Sequence, residues 1–205
     1  MIPGPTIIIS CPHCGNYAKR ETIISGNTFG AEFWSDGKRI APMLPDFPSL
    51  VLCCKCDKFY WVKDAKKVNE INSYEEREDK WKEIEYVDFP TFQEYFRALE
   101  TIPQERFLRL NIWWSYNNYF REGKEKEITH DIECMNNENL NLLLTLLNES
   151  DDNDLMMKAE ALRCLGRFEE SRQLLEKVEN PNLREVKEKF HAEINNKNIR
   201  VFRLF

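Results

Sequence analysis

Cys11-Pro12-His13-Cys14-Gly15 and Cys53-Cys54-Lys55-Cys56-Asp57 are the two stretches that decide how this chain reads. Each spaces two cysteines by two residues, which lets the backbone turn so that both sulfurs face one point. Closed tetrahedral metal sites commonly draw four ligands from two such separated pairs. Pro12 sets φ in the first turn, and Gly15 tolerates a positive φ after it. Asp57 holds the glycine-like place in the second, and Asp enters the left-handed region more easily than most residues. A β-like run leads into each pair, Thr6-Ile-Ile-Ile9 and Leu50-Val-Leu52. Cys11, Cys14, Cys53 and Cys56 are therefore the expected metal ligands. Cys54 can stand in for Cys53, but Cys53 keeps the two-residue gap.

Working outward, Glu21-Thr-Ile-Ile24 and Phe59-Tyr-Trp-Val62 read as the strands that leave the two pairs. Between the pairs, Ala31-Glu-Phe-Trp34 and Arg39-Ile40 flank Ser35-Asp36-Gly37-Lys38. Asp-Gly between strand-like runs predicts a hairpin with a type I′ turn. Pro42, Pro45 and Pro48 predict a loop over 41–49.

Over roughly residues 5–63 these motifs resemble the zinc-ribbon (rubredoxin-like) class, which pinches a metal between two knuckles at hairpin tips. The resemblance implies a structural zinc ion bound by Cys11, Cys14, Cys53 and Cys56. The Asp-Gly hairpin is expected to fill the 38-residue gap between the pairs. Four thiolates can also hold iron. Redox-active Cys-x-x-Cys motifs sit at a helix start in a βαβ setting, which this stretch lacks. The start of the chain also resembles uncharacterised bacterial proteins that share its Gly26-Asn-Thr-Phe-Gly30 and Ser35-Asp-Gly-Lys38 stretches.

Composition bounds the rest. The chain has 205 residues, 42% hydrophobic and 12% aromatic, enough for ordered cores. Seven cysteines, four of them in tight pairs, favour metal binding in a reducing compartment over disulfides. No apolar run is long enough to span a bilayer, and the first residues lack a basic n-region, so a cytoplasmic location is expected. Residues 1–67 hold nine Lys/Arg against six Asp/Glu, and 68–205 hold twenty against twenty-nine. A metal bound by four thiolates brings the first part near neutral, which leaves no strong electrostatic footprint for nucleic acid.

From residue 68 the composition turns charge-rich, and 68–90 reads as a linker or a solvated helix. Beyond it the pattern is helical. Thr91-x-x-Glu94 and Thr101-x-x-Gln104 fit capping boxes, and Phe107 to Phe120 is apolar on most sides, as in a buried helix. Leu140 to Leu147 predicts another helix after an Asn/Glu-rich turn. Leu155–Leu165 and Phe168–Val178, joined at Gly166-Arg167, predict a helical hairpin, with a third helix over Leu183–Asn195 after Pro181. Residues 152–182 resemble a tetratricopeptide repeat, with Ala159 and Ser171 at the small crossing positions and Phe168 and Leu175 at the larger ones. Members of that family commonly bind peptides or proteins, and one copy alone cannot build their usual groove. The apolar end, Ile199 to Phe205, is expected to dock rather than hang free.

The expected fold class is α+β: a β-rich zinc ribbon over 1–67, the charged stretch 68–90, and an all-α region over 91–205. Other motifs read as structure. Residues 25–30 predict a turn, His130 and Cys134 have no second pair of ligands, and Asp151, Asp152 and Asp154 predict a helix cap. Phosphate-loop, nucleophile-elbow and His-Glu-x-x-His signatures are missing, so no catalytic and no cofactor-binding residues are assigned. The expectation is a zinc-binding, non-enzymatic cytoplasmic adaptor that uses its helices to bind a protein partner. A nucleic-acid-associated factor, using Lys/Arg residues between 19 and 67 beside Trp34, Tyr60 and Trp61, is the runner-up. An enzyme with a site between ribbon and helices is the third reading.

Overall fold

Three consecutive isoleucines, Ile7 to Ile9, suit a strand covered on both faces. In the computed structural model, which describes residues 1–71 and 81–205, they are the middle of a three-stranded antiparallel sheet. Its centre is β2 (Thr6–Ser10), flanked by β3 (Tyr17–Arg20) and β9 (Lys66–Ile71). Ile8 and Ile9 are buried, and the register with β9 passes from Ile8↔Asn69 to Ile9↔Lys67. Val68 is thus the extra residue of a bulge.

The chain divides into two units: residues 1–31 with 40–102, and residues 32–39 with 103–205. The first is built on short strands. Besides the three-stranded sheet it pairs β1 (Ile2–Pro3) with β4 (Ile23–Ser25), and β7 (Leu50–Leu52) with β8 (Phe59–Trp61). The strand leaving the first cysteine pair is β3, four residues earlier than the expected 21–24. β9 runs from the expected ribbon into the first four residues of the stretch 68–90 read as a charged linker. Its Lys66, Lys67 and Glu70 side chains point to water while the backbone completes the sheet, so composition conceals it. The centre of that charged stretch, 72–80, lies outside the described residues. Just after it, Trp81 is buried edge-on against Tyr17, and the 81–87 segment bonds to β3 through Lys19 N–H to Glu85 O and Val87 N–H to Lys19 O, both 2.8 Å. Helix α1 (Phe92–Ala98) follows, and the Thr91/Glu94 capping box forms in full.

The second unit holds five α-helices among the described residues: α2 (Glu105–Arg121), α3 (His130–Leu146), α4 (Asp152–Cys164), α5 (Phe168–Lys177) and α6 (Arg184–Asn195). The chain is accordingly α+β. Thr101 makes no capping box, because α2 begins after Gln104, whose side chain caps nothing. α3 starts ten residues before Leu140, so the Asn/Glu-rich stretch is helix. Asn136 and Asn139 face the core, and Asn139 donates to the Arg109 carbonyl at 2.9 Å. Helix propensity is a weak prior that such tertiary contacts override. Asp151 caps α4 by accepting from Asp154 N–H at 2.9 Å. α4 and α5 turn about Gly166 at φ 74°, and Ser171 Oγ donates to the Ala159 carbonyl at 2.6 Å where the two helices meet. No helix among the described residues is long and apolar enough to cross a membrane.

Residues 32–39 are the departure from expectation. β5 (Glu32–Phe33) and β6 (Arg39–Ile40) do form a hairpin. Only Gly37 takes a positive φ, however, and Gly37 N–H bonds to Trp34 O at 2.9 Å. The turn is therefore the three-residue kind that ends in a left-handed glycine, not type I′. The hairpin belongs to the helical unit and not to the knuckles. Asp36 is fully buried there, paired with Arg121 and accepting from Asn117 Nδ2 at 2.7 Å. Trp114 Nε1 donates to its carbonyl at 3.0 Å. The C-terminal segment docks beside β5: Ser35 N–H to Phe202 O at 2.9 Å and Leu204 N–H to Phe33 O at 2.7 Å.

A second buried pair, Glu160 with Arg163 at 2.7 Å, ties α4 to the same C-terminal segment, because Arg163 also donates to the carbonyls of Asn198 and Arg200. Both side chains are fully buried. Removing one partner of such a pair strands the other charge, at about 3–5 kcal/mol. Glu160→Ala is expected to lower the unfolding free energy of the helical unit by about that amount, checked by urea denaturation followed by circular dichroism.

Candidate metal centre

The two knuckles are built alike. In the first, Gly15 N–H bonds to Cys11 O at 2.9 Å and Cys11 N–H to Asn16 O at 2.8 Å. In the second, Asp57 N–H bonds to Cys53 O at 2.9 Å and Cys53 N–H to Lys58 O at 3.0 Å. Gly15 at φ 73° and Asp57 at φ 53° occupy the same left-handed place, so each turn closes in the same way. β2 and β3 hold the first knuckle, and β7 and β8 hold the second.

This brings Cys11, Cys14, Cys53 and Cys56 together, with all four sulfurs within 4.8 Å of one another. Cys11 Sγ stands 3.9 Å from Cys56 Sγ, and Cys14 Sγ stands 3.6 Å from Cys53 Sγ. Four sulfurs at about 2.3 Å from one ion in a tetrahedron are about 3.8 Å apart. A disulfide needs about 2.05 Å. The spacing thus fits a shared ion and not two disulfides. Cys54 lies outside the cluster, exposed, with Asn16 Nδ2 at 3.5 Å from its sulfur.

Electrostatics separate Cys53 from Cys11 and Cys56. At Cys53 burial opposes ionisation, but the N–H groups of Cys56 and Lys55, with the neighbouring thiols, outweigh it and bring the group down to about 7. Burial, then hydrogen bonding to Cys14 and Cys53, pushes Cys56 up to about 12. Cys11 is raised as well, chiefly by burial, although N–H groups of His13 and Cys14 point at its sulfur. Thiols this close resist ionising together, and a divalent cation supplies the charge that allows it. Backbone N–H groups aimed at Cys11 and Cys53 suit thiolate acceptors.

The surroundings of Cys11 and Cys53 are apolar, whereas Cys14 is exposed. Ile9, Val51, Tyr60 and Val62 pack with Cys11 and Cys53 in one buried cluster. Burial and the nearby cysteines push the Tyr60 hydroxyl up to about 12. His13 is exposed, with Nε2 3.1 Å from the Phe59 carbonyl and no place among the sulfurs. Arg97 of α1 pairs with Asp57 at 2.5 Å and lies over the Phe59 ring, so the helix braces the second knuckle, a contact no local motif announces.

The remaining sequence candidates stay apart from this centre. His130 and Cys134 are neighbours on α3, Nε2 to Sγ 3.5 Å, and both are exposed. Of the 25–30 stretch, Ser25 ends β4 and the rest leads through a turn closed by Ala31 N–H to Thr28 O at 3.0 Å, with Phe29 exposed. Trp34 lies under Arg121 in the helical unit, whereas Trp61 lies beside Lys63 in the first, so the basic and aromatic residues considered for nucleic acid divide between the units. Trp113 is fully buried in the helical core. No family model, curated protein or solved structure matches the chain.

Cys164 is half-buried beside Glu160, and burial raises its thiol well above the ordinary range. Cys54 and Cys134 are exposed. Because the thiolate is the reactive form, iodoacetamide at neutral pH is expected to modify Cys54 and Cys134 at least tenfold faster than Cys164. Peptide mass spectrometry over a time course reads the three rates.

Proposed function

We propose that Cys11, Cys14, Cys53 and Cys56 bind one Zn2+ as a structural site. The observation that carries this is the convergence of four sulfurs at tetrahedral spacing on two knuckles of matching backbone geometry. Four thiolates fill the coordination shell, whereas a catalytic zinc keeps one position open for water. The ion therefore acts on the fold and not on a substrate. It ties together a knuckle core of few large aliphatic residues, so much of that unit's stability comes from metal binding.

On this reading the protein is a non-enzymatic adaptor. The zinc-bound unit is its rigid part, and the helices supply the surface for a protein partner. The α4–α5 hairpin supports the second half. Ala159 and Ser171 are both fully buried and meet where α4 and α5 pack, the contact a tetratricopeptide-like pair would use, and α6 adds Phe190 and Ile194 to the same core. A cytoplasmic location belongs to the same reading, since paired Cys-x-x-Cys spacing suits metal binding in a reducing compartment better than disulfides.

Elemental analysis of protein purified without added metal tests the first half. One zinc per chain is expected, lost in Cys11→Ser and Cys53→Ser and kept in Cys54→Ser. Protons compete with the metal for thiolates, so lowering the pH is expected to release the ion and raising it to restore binding. Iron in its place, or loss of metal in Cys54→Ser, overturns the assignment. Retention on RNA that falls steeply with salt would displace the adaptor reading, since counterion release marks nucleic-acid binding.

A further inference from the structure

The 38 residues between Cys14 and Cys53 do not stay in one unit. They leave the first after Ala31, give 32–39 to the second, and return at Ile40. In the helical unit this hairpin is anchored at its turn by Asp36 on Arg121 and Asn117. Along β5 it is the β partner of the C-terminal segment, through Ser35, Phe33, Phe202 and Leu204. Phe202 N–H also donates to Ser35 Oγ at 3.1 Å. The segment that closes the helical unit thus pairs with residues whose two flanks both run into the cysteine-bearing unit.

We propose that the four-cysteine centre controls closure of the helical unit. Metal loading keeps the 32–39 hairpin docked, and metal loss releases it together with the C-terminal segment 202–205. This rests on reading the four cysteines as metal ligands. With the knuckles closed, both flanks of the hairpin are short connections to folded structure. When the metal leaves, Cys11 and Cys53 no longer hold the cluster formed with Ile9, Val51, Tyr60 and Val62. With that cluster loosened, the path from the hairpin back to Pro103 is a longer tether. The effective concentration of a tethered segment falls as its tether lengthens.

The response is local. The main helical cluster is made by residues such as Leu140, Leu143, Leu175 and Phe190 and contains no residue of 32–39 among its buried members. Phe202 and Leu204 only pack on its border. The helices therefore keep their core when the hairpin leaves. Linkage also works in reverse: whatever factor zinc contributes to hairpin docking, docking contributes to zinc affinity.

Hydrogen exchange on the full chain tests the coupling, with zinc quantified in the same samples. On removing zinc with a chelator, peptides covering 32–37 and 200–205 are expected to exchange at least tenfold faster. Peptides from α3 to α5 are expected to keep their rates, and zinc re-addition to restore protection. Zinc lost with unchanged exchange at 32–37 and 200–205 overturns the coupling alone, as does equal acceleration across α3 to α5. A chain that binds no zinc overturns both the coupling and the metal assignment. Asp36→Ala, which frees the hairpin from the other side, is expected to weaken zinc binding by the same factor, read by competition with a chromogenic chelator. Unchanged zinc affinity with a freed hairpin also overturns the coupling.

Discussion

Four sulfurs within 4.8 Å of one another are the constraint on which the first unit depends. Left as thiols, they crowd together, and Cys56 and Cys11 are driven above the usual thiol range while Cys53 is drawn below it. Four ionised sulfurs at this spacing repel strongly in a partly buried, low-dielectric setting. The fold nonetheless aims backbone N–H groups at Cys11 and Cys53, and it repeats the same turn twice to do so. A backbone arranged to favour negative charge at one point makes sense when a cation completes the balance there. The apolar residues packed on Cys11 and Cys53 keep water from that side of the cluster, while Cys14 faces solvent.

The helical unit relies on a different device. Its apolar cluster would pack helices in several ways, but its buried charges tolerate few arrangements. Asp36 needs Arg121 and Asn117, and Arg163 needs Glu160 together with the carbonyls of Asn198 and Arg200. Each charge satisfied in the native packing would be stranded in an alternative one. The two clusters fix opposite ends of one feature: Asp36 places the hairpin, and Arg163 places the segment that pairs with it. Ring contacts follow the charges, since Arg121 lies over Trp34 and Arg163 over Phe202.

What could be read from the sequence was what is encoded locally. The knuckles were legible because spacing, a preceding strand and a left-handed residue all fall within a few positions, and Asp57 at φ 53° fills the glycine-like place. The α4–α5 hairpin was legible for the same reason, down to Gly166 at its turn. Features decided by distant partners were hidden. β9 has no hydrophobic alternation, because only its backbone is used by β2. The asparagines of α3 look like a turn until Arg109 supplies a partner for Asn139. Thr101 looks like a cap, but the chain from Ala98 to Ile102 is already committed to the end of α1 through Ile102 N–H to Ala98 O at 2.8 Å.

The hairpin at 32–39 combines local and distant encoding. Its turn is a local property, so Asp36-Gly37 announced that a hairpin exists. Its allegiance is not local, since it is set by a carboxylate whose partners are more than 80 positions away. Asp36 serves in two ways: its Oδ1 accepts from Lys38 N–H at 3.1 Å to shape the turn, while Oδ2 takes Asn117 and Arg121. Sequence spacing exposes the first use and conceals the second. A long interval between two metal-ligating pairs invites the assumption that the interval belongs to the metal module. Here it carries a buried acid instead, and a buried acid must go where its cation is. That requirement, more than the length of the loop, sends the segment to the helical unit.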